Sequence, residues 1–250
     1  MNTGLKLSSA AQTFLESVLA LKPVIAVFDC DGTLWSGDSG ADFFYWEVRR
    51  GLLPAKTAAW ALARYDDYKR GNVGEEIMCG EMVTIHHQIP ERVLEEAAND
   101  FFAEVVQPRI FPEMLQLTHT LRERGCELWA VSSTNLWVVR EGVQRFGIPA
   151  EKVLAACVHI EEGLATDRLH RVPSGPAKAA ALNEVLGKQV DACFGNSIHD
   201  LAMLEMSRRA FVVNPNSDLE SIAQARGWPI YWPTGRNVNH KGHEGSTKEK

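Results

Sequence analysis

The sequence predicts an α/β fold, a parallel sheet clad in helices and interrupted once by an all-helical insertion. Two observations carry that prediction. Short apolar runs rich in β-branched residues alternate with stretches of helical periodicity, the pattern of a parallel sheet. Between about residues 39 and 107 the alternation stops, and four helix-like stretches follow one another with no strand-like run between them. The 250 residues are 45% hydrophobic and 23% charged, ample apolar material for one large core or two small ones.

In chain order, Leu7 to Leu21 reads as a helix ended by Pro23. Val24–Phe28 (VIAVF) is continuously apolar, as a strand buried on both faces requires. Later runs of the same kind are Glu127–Val131, Ala192–Phe194, Ala210–Val213 and Pro229–Trp232. The helical stretches between them are Pro112–Arg124, Leu136–Phe146, Pro176–Leu186, Asp200–Arg208 and Asp218–Arg226, several closed by a following glycine. Inside the insertion, helices are expected at Ala41–Arg50, Ala55–Arg70, Glu75–His87 and Glu91–Val106, punctuated by Gly51, Pro54, Gly71, Gly74 and Pro90. Residues 153–170 suggest a small hairpin. The expected division is a core of residues 1–38 and 108–232, a helical cap of residues 39–107, and a polar, aperiodic tail of residues 233–250 that reads as disordered.

The formal net charge is −6 and no long basic run occurs, which argues against nucleic acid as a partner. No apolar stretch reaches the ~20 residues that span a bilayer, and the N-terminus lacks the basic start and apolar block of a secretory signal. The expected address is the cytoplasm, as a monomer or homodimer. The five cysteines are widely spaced with no CxxC, so neither a disulfide framework nor a zinc site is expected.

Four polar clusters follow apolar strands or open a helix. In a parallel sheet the C-terminal strand ends share one edge, so clusters far apart in sequence can converge there. In Asp29-Cys30-Asp31-Gly32-Thr33, two carboxylates at i and i+2 repel unless a cation lies between them, and magnesium suits oxygen donors. One carboxylate could attack phosphorus while the other handles the proton; the plainer reading is a tight turn with solvated charges. Ser132-Ser133-Thr134-Asn135 could cradle phosphate oxygens or merely cap a helix. Lys178 sits in a first helical turn, where the dipole offers a cation nothing, so an anionic partner or open solvent must account for it. Gly195-Asn196-Ser197-Ile198-His199-Asp200 places an amide and a carboxylate four residues apart, as a site or as a polar turn.

The run DCDGTL after VIAVF resembles the first motif, DxDxT, of the haloacid-dehalogenase superfamily. The resemblance extends in family order through all four clusters, from Val24 to about Trp232. It implies a Rossmann-like core, with Asp29 as nucleophile and Asp31 as general acid/base. It implies phosphate binding by Ser132, with Ser133 beside it, and by Lys178. Magnesium would be held by Asp29, Asp31 through its carbonyl, and Asn196, with Asp200 in support. The second aspartate favours phosphoryl transfer over dehalogenation. The family pattern GDxxxD has an aspartate where this chain has Asn196, an oxygen donor without charge. The helical insertion, the hairpin and the Pro176–Leu186 helix resemble the phosphoserine-phosphatase-like branch.

That resemblance implies a magnesium-dependent phosphatase acting on a small phosphorylated metabolite through an aspartyl-phosphate. Alternatives are a phosphomutase or phosphotransferase on the same scaffold, and a non-catalytic phosphate-ligand binder with a weakened metal site. Asp38, nine residues past Asp29, matches an acidic position that this branch places near a substrate amine; it would equally cap the helix that follows. The branch's cap arginine for a substrate carboxylate has no counterpart in residues 75–85, so phosphoserine is not favoured over phosphoethanolamine or phosphocholine types. Trp35, Phe43, Phe44, Tyr45, Trp46 and Trp137 could cage a quaternary amine or belong to the core. His86, His87 and His199 are expected at the surface or behind the site, not on the metal.

Overall fold

A computed structural model describes residues 7–234. The sequence expectation of a tail falls outside these residues from position 235 onward. Strands β1 (Ile25–Phe28), β2 (Glu127–Asn135), β3 (Val153–Glu161), β4 (Leu164–Arg171), β5 (Ala192–Gly195), β6 (Arg209–Val213) and β7 (Ile230–Tyr231) form one sheet in the order β4-β3-β2-β1-β5-β6-β7. All neighbours are parallel except β3 and β4, the expected hairpin.

Strand periodicity explains why the central runs are apolar throughout. Ala26 and Phe28 face a cluster built with α1 (Ser9–Ala20), α6 (Pro112–Glu123) and α7 (Leu136–Val143). Ile25 and Val27 face the opposite cluster, built with α8 (Pro176–Leu186), α9 (Leu201–Glu205) and α10 (Ser217–Arg226). Across the first face Phe28, Phe194 and Phe211 stack in file, with ring centroids 4.4 and 5.0 Å apart. Each such ring contributes about 1.5–3 kcal/mol by burial, so the middle of the sheet, where the site begins, is firmly packed.

Between β1 and β2 lie the four expected helices, α2 (Ser39–Arg50), α3 (Ala55–Lys69), α4 (Glu75–Thr84) and α5 (Glu91–Phe101), and no strand. A π-helical turn, Phe102–Val106, continues α5 and explains why the helical pattern ran on to Val106. Two expected boundaries move. β2 does not stop at Val131 but continues through Asn135, with an irregular register against β3 between Ser132 and Asn135. Asp200 lies in a 3₁₀ turn, Ile198–Asp200, ahead of a short α9 rather than inside one long helix. All five cysteines are free, and four are buried.

Candidate active site

β1 ends where its next residue, Asp29, donates its amide to the Phe194 carbonyl and so stays in register with β5. The chain then turns at Gly32, whose φ of 76° suits glycine. A Cβ there would also fall 1.9 Å from the Asn196 amide nitrogen, so the glycine is what lets the two loops meet.

The turn, the end of β2, the start of α8 and the loop after β5 share one cavity of about 250 Å³. Lys178 reaches it from α8 almost fully buried, and its Nζ donates to Asp29 Oδ1 at 2.7 Å and to Asp200 Oδ1 at 2.6 Å. The anionic partner that a first-turn lysine required is therefore a pair of carboxylates. The other oxygen of Asp29 accepts from the Thr33 hydroxyl at 2.9 Å. The other oxygen of Asp200 accepts from the Asn196 and Ser197 amides at 2.9 and 3.0 Å, which fixes the loop bearing Asn196. Asp31 Oδ1 accepts from Trp35 Nε1 at 2.7 Å and the Ser39 amide at 2.8 Å, and its Oδ2 from Thr134 Oγ1 at 2.7 Å. Ser132 Oγ accepts from the Thr134 amide at 3.2 Å, at the cavity wall where β2 loses its regular register with β3. Asn135 caps α7 through the Val138 amide.

Burial and the nearby carboxylates Asp200 and Asp31 push Asp29 up to about 7, against the pull of Lys178. Burial alone would lower Lys178; Asp200 and Asp29 more than offset it and hold the ammonium firmly charged. Asp29 and Asp200 share one ammonium, and Asp31 accepts only from Trp35, Ser39 and Thr134, so three carboxyl groups have a single cation among them. A divalent cation fits that imbalance and the oxygen-only donors beside it. Among the described residues no three acidic, histidine or cysteine side chains form a metal-binding group of their own. A magnesium shell would therefore have to draw on a backbone carbonyl and the Asn196 amide.

Every sequence-singled residue of the site lines this cavity except Asp200, which stands behind Lys178. Asp38 reconciles its two readings: Oδ1 accepts from the Ala41 amide at 2.9 Å, capping α2, while the carboxylate opens into the cavity. Asp38 is exposed at the cavity mouth, and partial desolvation there, and then Asp31, shift its carboxyl upward.

The aromatics divide. Trp35, Trp46 and Trp137 are core residues with their indole N–H groups bonded to Asp31, Glu104 and Glu91, so they form no cage. Phe43 and Phe44 do reach the cavity, joined by Tyr65 and Tyr68, which sequence reasoning passed over. Of the two placements expected for His86 the structure shows the second: it is wholly buried behind the cavity-lining Glu47, 2.7 Å from that equally buried carboxylate. Also unforeseen are Thr33 and Thr134, which orient the two aspartates, and Glu75, which meets His199. The threonines stood inside motifs already noticed, whereas Glu75 carried no signal.

Residues 26–205 match the family of haloacid dehalogenase-like hydrolases, and the chain belongs to that family. With two aspartates in its first motif it stands on the family's phosphatase side. It is 26% identical over 217 residues to a histidinol-phosphatase of Neisseria meningitidis, covering 82% of this chain and 97% of that one. It is 24% identical over 216 residues to phosphoserine phosphatase SerB1 of Mycobacterium tuberculosis, covering 82% and 69%. A Bordetella pertussis protein of unknown function shares the fold, with a TM-score of 0.69 and 24% identity over 83% of this chain and 97% of its own. No helix among the described residues is long and apolar enough to cross a membrane.

Proposed function

We propose that the chain is a magnesium-dependent phosphatase that hydrolyses a small, amine-bearing phosphomonoester through a phosphoryl group carried on Asp29. The observation that carries this reading is the buried file Asp29–Lys178–Asp200 opening into the cavity that also holds Asp31, Ser132 and Asn196. A carboxylate needs no deprotonation to attack at neutral pH once a cation offsets its neighbours, and Lys178 holds Asp29 in place.

Asp29 forms a bond to phosphorus as the bond to the substrate's alcohol oxygen breaks, and Asp31 gives that oxygen its proton. Asp31 then takes a proton from water, whose oxygen attacks phosphorus and releases Asp29 and inorganic phosphate. Ser132, Ser133 and Lys178 hold the phosphoryl oxygens. Bound magnesium, held by Asp29, the Asp31 carbonyl and Asn196, would supply positive charge to the phosphoryl oxygens. Residues 39–107 act as the cap that shapes the rest of the cavity.

The substrate end of the cavity carries Asp38, Glu47 and Glu75, with Phe43, Phe44, Tyr65 and Tyr68. Among the described lining residues Lys178 is the one lysine, and there is no arginine. A substrate carboxylate would find no lysine or arginine there beyond Lys178, and of the three acidic side chains Glu47 and Glu75 are already paired with His86 and His199, which leaves Asp38 without a cation beside it. An amine would find Asp38. This supports an amino-alcohol phosphate, of the kind named by the histidinol-phosphatase relative or of the phosphoethanolamine type, over phosphoserine. The test is a panel of these phosphomonoesters with magnesium, run beside Asp29→Asn. Phosphate release from an amino-alcohol phosphate, absent in the variant, supports the reading; equal release by both proteins overturns it.

A further inference from the structure

Glu47 and His86 form a buried pair that the chemistry at Asp29 and Asp31 does not use. Glu47 is 1% exposed and His86 wholly buried, with Glu47 Oε2 2.7 Å from His86 Nε2. The other ring nitrogen, Nδ1, faces the Val83 carbonyl at 3.2 Å, and the ring packs edge-on against Trp137. Burying two charges is costly, and an apolar pair of similar volume is often as stable or more so. Stability therefore does not explain why this pair stands in the cavity wall. Enclosed ionisable groups in a cleft are characteristic of sites that meet a ligand.

The face of α2 that carries Glu47 begins beside the reacting groups. Gly40, Phe43, Phe44 and Glu47 line the cavity at the i, i+3, i+4, i+7 spacing of one helical face. At Gly40 a Cβ would come 2.9 Å from Thr134 Oγ1, the hydroxyl that bonds Asp31, and 3.3 Å from Asp38 Oδ1. From Gly40 to Glu47 the helix axis advances about 10 Å. A substrate with its phosphoryl group at Asp29 thus meets Asp38 first and Glu47 further along. A two-carbon amino alcohol carries its nitrogen too near phosphorus to meet both.

The two carboxylates call for different partners. Asp38 accepts from the Ala41 amide, has no cation beside it, and suits an ammonium. His86 already balances the charge of Glu47, so a second cation gains little there, whereas an N–H donor gains a charge-assisted hydrogen bond. Phe43 and Phe44, one turn earlier on the same face, offer apolar ring surface to a flat group.

We propose that Glu47 is a specificity-determining residue that accepts an N–H from the far end of the substrate, and that the preferred substrate is an amino-alcohol phosphate whose chain ends, beyond the amine, in a flat N–H-bearing ring. His86 is a positioning residue that holds Oε2 of Glu47 and leaves Oε1 to the substrate. This rests on the reading of the cavity as the phosphatase site.

The test compares kcat/KM, with magnesium, for two amino-alcohol phosphates that differ only in the terminal ring, imidazole in one and phenyl in the other, beside phosphoethanolamine. Wild type should prefer the imidazole compound about 10- to 100-fold, the worth of one charge-assisted hydrogen bond, with most of the difference in KM. Glu47→Met keeps the side-chain length and removes the acceptor, and should bring the ratio to within about threefold of unity. Glu47→Gln keeps a neutral acceptor and should fall between the two. A residue that only braces the fold would lower stability when replaced and leave the ratio as it is. Circular dichroism checks that each variant is folded; should Glu47→Met not fold, Glu47→Gln decides. No preference in wild type, or a folded variant with the full preference, overturns the inference. Phosphate release from all three substrates without preference for imidazole overturns the inference alone; release from none overturns the phosphatase reading and the inference with it.

Discussion

Replacing Lys178 by methionine keeps the side-chain length and removes the one ammonium that serves two buried carboxylates. Its Nζ lies 2.7 Å from Asp29 and 2.6 Å from Asp200, and the three side chains are 3%, 7% and 0% exposed. Taking away one partner of a buried ion pair costs about 3–5 kcal/mol, because the charge left behind is neither solvated nor paired. Here two charges are left, facing each other. Asp29 already sits near 7 with the lysine in place, so its carboxyl rises further without it. A folded carboxyl raised above its unfolded value gives stability that is full at low pH and lost as pH climbs through the folded pKa. Lys178→Met should therefore be destabilised by about 3–5 kcal/mol at pH 8, and by less than half of that at pH 5. Urea unfolding followed by tryptophan fluorescence reads this as a midpoint lowered by roughly 1–2 M at the higher pH, for a slope of about 3 kcal/mol/M. An unchanged midpoint at pH 8, or the same loss at both pH values, would refute the buried-pair reasoning. Phosphatase turnover should fall about 10²–10³-fold even where the variant is folded.

Asn196→Asp adds a carboxylate beside three that share one ammonium, so it should tighten magnesium and lower stability without it; an unmoved magnesium midpoint for activity would separate Asn196 from the metal. Asp38→Asn keeps a good N-cap for α2 but removes the cavity charge, and kcat/KM for an amino-alcohol phosphate should fall about ten- to hundredfold while an aryl phosphate is spared. Equal effects on both substrates would leave Asp38 as a cap alone. In the buried Glu47–His86 pair, both imidazole nitrogens face oxygens, the Val83 carbonyl at 3.2 Å and the carboxylate at 2.7 Å, so the ring carries two protons. Burial opposes that charge, but Glu47 outweighs it and raises the His86 pKa, so the pair's contribution is full below about 6.5 and lost as pH rises through the folded value. Glu47→Gln should thus cost about 3 kcal/mol at pH 6 and clearly less at pH 9, and a pH-independent loss would contradict the pairing.

The parts legible in the sequence were those set by local pattern. The run Val24–Phe28 announced a central strand because both faces of Ile25–Phe28 are buried, and Asp29 and Asp31 announced a site because two carboxylates so close repel unless a cation lies between them. The end of β2 was not legible, since Ser132–Asn135 has turn composition yet remains in the sheet through an irregular register with β3. Asp38 was ambiguous because one carboxylate can cap a helix with one oxygen and face a cavity as well. The contact of Glu75 with Ser174 and His199 left no trace, as it joins residues about a hundred positions apart with no periodicity to mark them.

The most direct test of the account is to find the phosphoryl group on Asp29. The magnesium-loaded protein is mixed with an amino-alcohol phosphate, quenched in acid within one turnover, digested and read by peptide mass spectrometry. The account predicts phosphate on the peptide that contains Asp29, appearing and decaying at rates consistent with turnover and absent from Asp29→Asn. Turnover with no phosphorylated peptide, or with the phosphate on another residue, would contradict it.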